Sequence, residues 1–176
     1  MLVYALWSYI TFQTLDKGWV GSLVYIPHGC RVIFYCFFGV RSLPALYGAE
    51  VTGPTLIWGD QYLAYWGYAS ILSLLSVVIA VEILKWSRTS TFSYSILKKM
   101  NFANYKFLIL VIIISALFNS IFTNFALSLM NNVDINAIVI ARFFIGDVFG
   151  SMVFIIWLMI MFNMLKDRRF YPVDDN

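Results

Sequence analysis

Charged residues are scarce in this chain of 176 residues. Asp, Glu, Lys and Arg make up 12% of it, whereas soluble domains carry about 25%. Hydrophobic residues make up 61%, and the mean hydropathy is +0.81. A surface of this composition would aggregate in water, so membrane lipid is the expected solvent. The small net charge of +3 and the lack of a long basic stripe argue against a nucleic-acid partner.

Residues for metal, disulfide or covalent chemistry are equally few. The chain has one histidine, His28, and two cysteines, Cys30 and Cys36. Their spacing matches no metal motif, and positions six apart on a helix diverge, so we expect packed thiols, no metal and no cofactor. His28 and Cys30 point in different directions on a helix and do not form a base–nucleophile pair. GxSxG and HExxH motifs are also absent, so the chain is not expected to be an enzyme.

Long apolar runs are what the chain has in abundance. A membrane-crossing helix needs about 20 apolar residues, with a range of about 17–25. The runs predict one transmembrane domain over 1–176, an all-α polytopic integral membrane helical bundle with about six transmembrane helices. These helices are predicted at 1–15, 19–40, 42–58, 61–84, 107–130 and 135–165. Pro27, Pro44 and Pro54 leave open whether the first three segments cross fully or form half-helices.

The basic residues indicate an orientation. They concentrate in the loop 86–105 and in the tail after residue 165, and Arg41 separates the second and third segments. Six crossings put all three regions on one side, which the positive-inside rule assigns to the cytoplasm. We therefore expect both termini to be cytoplasmic and the protein to be integral to the inner membrane of a bacterium. The loop 86–105 would lie on anionic lipid or dock a cytoplasmic partner.

Five ionisable residues lie away from the predicted helix ends: His28, Arg31, Glu50, Arg142 and Asp147. Such residues cost about 2.5–3.5 kcal/mol each inside a membrane, so they persist when they are paired or functional. The topology places all five at similar depth on the second, third and sixth segments. Two interpretations remain open. The set is an ion-pair network that fixes helix packing, or it binds a small polar or anionic ligand through its arginines.

Small and amide residues indicate close helix packing near the same place. Gly146 and Gly150 have the small-xxx-small spacing that lets two helix backbones approach closely. Asn119, Thr123 and Asn124 in the fifth segment predict hydrogen bonds between helices rather than ligand contacts.

Two motifs resemble those of a known family. YIPHGCR at 25–31 runs on to FGVRSLP at 38–44, and ARFFIGDVFG occupies 141–150. Together they resemble the bacterial membrane-associated sensor domain, a multi-helix integral membrane module often found ahead of signalling enzymes. The resemblance implies a sensor-like membrane fold with a ligand pocket. No output domain is recognised in the 176 residues, so we expect a sensor-like module that acts without one.

Three functions follow as alternatives. The first is a stand-alone sensor-like module that binds a small polar ligand and relays its state to a separate partner. The second is an accessory subunit of a larger membrane complex, since the apolar faces suit a subunit with little chemistry of its own. The third is the substrate-capture component of a vitamin-type transporter, because the size and helix count are similar to those of energy-coupling-factor transporters.

Overall fold

The computed structural model describes residues 3, 6, 7, 9, 23–58, 66–87, 102–131 and 136–169. All regular structure in these ranges is helical, which confirms the all-α prediction. The order is α1 (Ile26–Phe38), a 3-10 turn (Gly39–Ser42), α2 (Leu43–Trp58), α3 (Trp66–Trp86), α4 (Phe102–Asn131) and α5 (Ala137–Arg169).

Four stretches of the described residues are long and apolar enough to cross a membrane, so the predicted number of six is wrong. They are Ile26–Gly53, Trp66–Trp86, Tyr105–Met130 and Ala137–Met164. The predicted segments 19–40 and 42–58 fall together in the first stretch. Their helices α1 and α2 have only 13 and 16 residues, fewer than the about 20 that a crossing needs.

Two of the predicted regions fall largely outside the described residues. Of the predicted helix 1–15, only four residues are described, all of them helical: Val3, Leu6, Trp7 and Tyr9. Most of the predicted loop 86–105 and the end of the tail also lie outside the described ranges.

The sequence encodes the break between α1 and α2. Gly39 follows α1 with a φ of 60°, a left-handed conformation that glycine adopts without steric cost. The Ser42 hydroxyl donates a hydrogen bond of 2.7 Å to the Gly39 carbonyl within the turn. Pro44 then occupies the first turn of α2, where a missing N–H costs nothing.

The chain folds back at this turn. Arg31 and Glu50 form an ion pair, although they are nineteen residues apart. In one straight helix they would be separated by about 28 Å, at 1.5 Å per residue. Because both lie about ten residues from the centre of the turn, α1 and α2 run in opposite directions. The sequence boundary between the two predicted segments was therefore well placed.

Helix α1 is the centre of the bundle. It contacts α3, α4 and α5, and α3 and α4 also pack along each other. By contrast, α2 packs mainly against α3. The interior next to the second half of α1 is apolar. Its buried members, which we call the apolar layer, are Val32, Tyr35, Cys36, Val77, Ala80, Val81, Leu84, Phe107, Leu108, Val111 and Ile112.

Glycines let the start of α1 approach α5. A Cβ added to Gly150 would overlap the Tyr25 carbonyl, and one added to Gly29 would lie 2.7 Å from the Ser151 Cα. The Tyr25 N–H donates a hydrogen bond of 2.8 Å to the Gly146 carbonyl. The close approach predicted from Gly146 and Gly150 is thus confirmed, and it brings α1 and α5 together at the level of the ionisable residues.

Candidate functional site

Four of the five predicted ionisable residues converge inside the bundle. His28 and Arg31 come from α1, Glu50 from α2 and Asp147 from α5. We call these four residues the polar cluster. Each is at most 2% exposed, so every charge in the cluster depends on protein partners for its stabilisation.

Arg31 is bound on several sides. Its Nε pairs with Glu50 Oε1, and its Nη1 donates a hydrogen bond to the Ser73 hydroxyl on α3. The guanidinium also lies over the Tyr25 ring, 5.1 Å from the ring centroid, in a cation–π contact. Arg31 therefore ties α1 to α2 and α3 at one point.

His28 faces the opposite side of the cluster. Its Nε2 lies 3.0 Å from the Ser115 hydroxyl on α4, and its Nδ1 lies 3.8 Å from Asp147 Oδ2. Asn119 donates a hydrogen bond of 2.6 Å to the same Oδ2. The Thr123 hydroxyl donates to Asn119 Oδ1 at 2.8 Å, which orients the amide towards Asp147. His28 and Asp147 thus join α1, α4 and α5.

Arg142 does not join the cluster. It is exposed on α5, whereas Asp147, five residues later, is buried. Five residues turn a helix by about 500°, so the two side chains point about 140° apart around the axis. The five ionisable residues were placed at similar depth, but depth does not determine helix face, and Arg142 lies on a different face of α5 from Asp147.

Serines contribute more to the site than the sequence analysis anticipated. Ser73 and Ser115 contact Arg31 and His28, and neither was a predicted site residue. Their spacing in the sequence could have indicated that they face the interior. Buried serines recur every three residues along α3 at Ser70, Ser73 and Ser76, and polar residues recur every four along α4 at Ser115, Asn119 and Thr123. Both spacings keep polar groups on one helix face.

The polar cluster and the apolar layer divide the interior into two halves. The cluster neighbours the first half of α3, where Ser73 lies about 10 Å from the helix start. The apolar layer contains Leu84 near the end of α3 and Phe107 near the start of α4. The cluster is thus separated by apolar side chains from the end of the bundle that carries the basic loop.

Aromatic side chains cover the cluster at the start of α1. The Trp7 ring meets the Tyr25 ring edge-on, with centroids 4.7 Å apart, and Trp7 Nε1 donates a hydrogen bond of 2.8 Å to the Val24 carbonyl. Tyr25 in turn covers Arg31. Trp7 therefore packs on Tyr25, which itself lies against Arg31.

Within the described ranges, no three His, Cys, Asp or Glu side chains lie close enough to share a metal ion. Cys30 and Cys36 are buried free thiols. The chemistry that the cluster offers is therefore that of charges, hydrogen bonds and protons.

Comparisons with known proteins do not assign this chain to a family. No protein-family model, curated protein or solved structure matches this chain. The likeness to the membrane-associated sensor domain therefore depends on the motifs at 25–31, 38–44 and 141–150 alone.

Proposed function

We propose that the chain is an integral membrane module that binds a small anionic ligand at Arg31 and relays its presence to a separate membrane protein. The observation that carries the proposal is the Arg31–Glu50 ion pair, fully buried in the bundle. Two further lines of support are the apolar stretches of α3, α4 and α5, each long enough to cross a membrane, and the convergence of the polar cluster inside the bundle.

Glu50 acts as an internal substitute for the ligand. An arginine recognises carboxylate groups through its planar fork of N–H donors, and a ligand carboxylate has the same shape and charge as that of Glu50. A ligand that competes for Arg31 therefore displaces a group of its own kind. Glu50 must leave the interior as the ligand carboxylate enters, so that the charge inside the bundle stays the same and the electrostatic cost of the exchange is low.

The position of Glu50 connects binding to movement. It is on α2, which packs mainly against α3, whereas Arg31 is on the central helix α1. Release of the ion pair would loosen α2 while α1, α3, α4 and α5 keep their packing. A ligand shifts such an equilibrium by the difference in its affinity for the two states. We infer that α2 carries the signal to the partner.

Location and orientation belong to the same proposal. The protein would be in the inner membrane of a bacterium, with the basic residues near Lys85 and those at the end of α5 (Lys166, Arg168 and Arg169) facing the cytoplasm. The polar cluster would then lie nearer the outer face, so an external ligand reaches Arg31 without passing the apolar layer.

The test is a melting-temperature screen of the full chain, purified in mild detergent, against small mono- and dicarboxylates. Binding to the folded state stabilises it, and the melting temperature rises with the logarithm of ligand concentration once this exceeds the dissociation constant. The Glu50→Gln variant removes the internal competitor, so we expect the most effective carboxylate to bind it at least tenfold more tightly than the wild type.

Glu82→Gln is the matched control for this screen. Glu82 is an exposed acid on α3, paired with Lys85 at 2.7 Å, and its removal should leave carboxylate binding unchanged. A screen in which no carboxylate raises the melting temperature of either the wild type or Glu50→Gln would contradict the proposal.

A second function, an accessory subunit of a membrane complex, is favoured by a different observation. Large apolar side chains are exposed around the bundle, including Phe149, Trp157 and Phe162 on α5. Such surface suits either lipid or protein neighbours. Native mass spectrometry distinguishes the two functions, because a subunit would be recovered only in an assembly of fixed stoichiometry and a ligand-binding module near 20.3 kDa.

A further inference from the structure

We propose that His28 and Asp147 together form a proton-binding site that holds one proton at neutral pH. The site lies on the side of the polar cluster away from Glu50 and does not depend on the proposed anion binding at Arg31. Its ligand is a proton exchanged with water, bound between His28 Nδ1 and Asp147 Oδ2.

The hydrogen bonds around His28 indicate which of its two nitrogens carries a hydrogen. The Ser115 hydroxyl has a single hydrogen and donates it to the Ile112 carbonyl, 3.2 Å away on the preceding turn. It therefore accepts from His28 Nε2, which lies 3.0 Å away and must carry a hydrogen. A neutral imidazole has one N–H, so Nδ1 is left as a bare acceptor.

This bare acceptor faces another acceptor. Among the residues that the structure describes, His28 Nδ1 has no hydrogen-bond partner, and Asp147 Oδ2 lies 3.8 Å from it. Two atoms bridged by one water lie about 4.6 Å apart, given hydrogen bonds of about 2.8 Å at a tetrahedral angle. The gap is too narrow for a water molecule, and two lone pairs cannot attract each other. A proton on either atom lets the two form a hydrogen bond once they close from 3.8 Å to about 3 Å.

The net charge of the polar cluster also favours one bound proton, independently of the hydrogen bonds. The charged groups of the polar cluster besides His28 are Arg31 on its own helix, Asp147 on α5 and, on the far side of Arg31, Glu50 on α2. Tyr25 and Cys30 are the titratable neighbours of His28 in the sequence. Along α3 and α4, the described residues near His28 offer hydroxyls and amides, while Glu82, Lys85 and Lys106 are exposed at the far end. With His28 neutral and both acids ionised, the cluster carries one net negative charge. One added proton makes it neutral, which burial strongly favours.

The rest of the site already suits both states of Asp147. Asn119 donates to Asp147 Oδ2 at 2.6 Å, so the carboxylate keeps one good hydrogen bond when the proton leaves. The protonated pair offers an N–H to Ser115 and a hydrogen bond within the pair. When the proton is bound, both imidazole nitrogens of His28 have a hydrogen-bond partner. This is the expected property of a site that binds and releases a proton.

The experiment uses the only histidine of the chain. The full protein, labelled with nitrogen-15 histidine, gives just two imidazole nitrogen signals, and these report directly whether Nε2 and Nδ1 carry hydrogens. Infrared difference spectra between the wild type and Asp147→Asn report whether Asp147 is a carboxylic acid. Both are recorded in lipid nanodiscs at pH 7 and at increasing pH.

We expect Nε2 to carry a hydrogen at pH 7, together with either a hydrogen on Nδ1 or a carboxylic acid band that disappears in Asp147→Asn. One proton per protein should be lost as the pH is raised, and Asp147→Asn should abolish this loss. Ser151→Ala, one turn along the same helix, is the control and should keep it.

Two results would overturn the proposal. The first is a bare Nε2 with a hydrogen on Nδ1 at pH 7, because Ser115 would then donate to Nε2 and the ionised Asp147 would need no extra proton. The second is a bare Nδ1 without any carboxylic acid band. Both are read from the wild-type protein or by comparison with it, so they stand even if a variant fails to fold. Neither involves a carboxylate ligand, so this proposal and anion binding at Arg31 can fail separately.

Discussion

Arg31 and Glu50 form a buried ion pair because the chain folds back at Gly39, midway between them in the sequence. The pair is the only ion pair among the described residues that joins α1 to α2. A local glycine conformation thus determines which charges meet inside the bundle. The contribution of the ion pair to the stability of the protein can be measured by replacing Arg31 and Glu50 one at a time and then together.

Arg31→Gln should destabilise the protein by about 3–5 kcal/mol, because it leaves Glu50 buried without its counter-charge. Glu50→Gln should have an effect of the same sign. The double variant should be more stable than the sum of the two single effects predicts, since two amides can hydrogen-bond to each other. The free energy of unfolding is measured by titration with sodium dodecyl sulfate. Strict additivity would show that the two side chains do not interact.

Gly150→Ala should destabilise the bundle by about 1–3 kcal/mol, because the new methyl group overlaps the Tyr25 carbonyl and forces α1 and α5 apart. Gly48→Ala is the matched control. No atom lies within 4 Å of a Cβ added at Gly48, a helical position, so that change should stabilise by about 0.4–1 kcal/mol. Equal effects at the two positions in the same unfolding assay would be evidence against the close α1–α5 contact.

Arg142→Gln should change the free energy of unfolding by less than about 0.5 kcal/mol, because Arg142 is exposed and outside the polar cluster. It should also leave the response to carboxylates unaltered in the melting-temperature screen. Arg31→Gln is the comparison, with the same chemical change at a buried position. A loss of carboxylate binding in Arg142→Gln would restore Arg142 to the site and contradict its exposed position.

Asn119→Leu should destabilise by about 1–3 kcal/mol, because Asp147 loses the hydrogen bond that Asn119 donates and the side chain is fully buried. Leucine has the same branched shape but a larger volume, so a control at a second buried amide is needed to measure the effect of packing. Asn124→Leu is the control at a buried amide one turn and a residue later, where Asn124 donates to the Ser120 carbonyl instead. Combining Asn119→Leu with Asp147→Leu should recover part of the loss. A double variant as unstable as the sum would indicate that Asn119 acts elsewhere.

Cys30 and Cys36 should both resist water-soluble thiol reagents in the folded protein, because their side chains are 8% and 2% exposed. Cys30→Ser and Cys36→Ser allow each remaining thiol to be followed alone by mass spectrometry. Denaturation should expose both. Cys30 lies next to Arg31, so displacement of Glu50 by a carboxylate should speed its labelling and leave Cys36 protected. Rapid labelling of Cys36 without ligand would contradict the sealed apolar layer.

Much of the fold could be predicted from hydrophobicity. The helices α3, α4 and α5 overlap their predicted segments, since a continuous apolar run longer than 18 residues leaves few alternatives to a helix. The number of crossings could not be predicted in the same way. The apolar runs on either side of Arg41 were counted as two crossings, yet α1 and α2 are each too short to cross alone.

Part of the site could be predicted from the cost of burying ionisable residues. Buried ionisable residues are costly, so His28, Arg31, Glu50 and Asp147 were identified by chemistry alone. Whether a residue such as Arg142 faces the interior depends on the rotation of the helix about its axis. The sequence of α5 does not indicate this rotation, because apolar residues occur on all of its faces. The serine contacts were missed because a serine in an apolar helix usually bonds its own backbone, as Ser76 and Ser151 do here.

The division of the interior into a polar and an apolar half has an electrical consequence. In a membrane, voltage falls mainly across material of low polarisability, which in this bundle is the apolar layer between Tyr35, Val81 and Phe107. A full crossing changes the energy of one elementary charge by about 2.3 kcal/mol per 100 mV. An ion that reaches Arg31 or His28 through the polar half would experience only a small part of that drop. Occupancy of the cluster would then follow the composition of the fluid on that side and would hardly respond to the membrane potential.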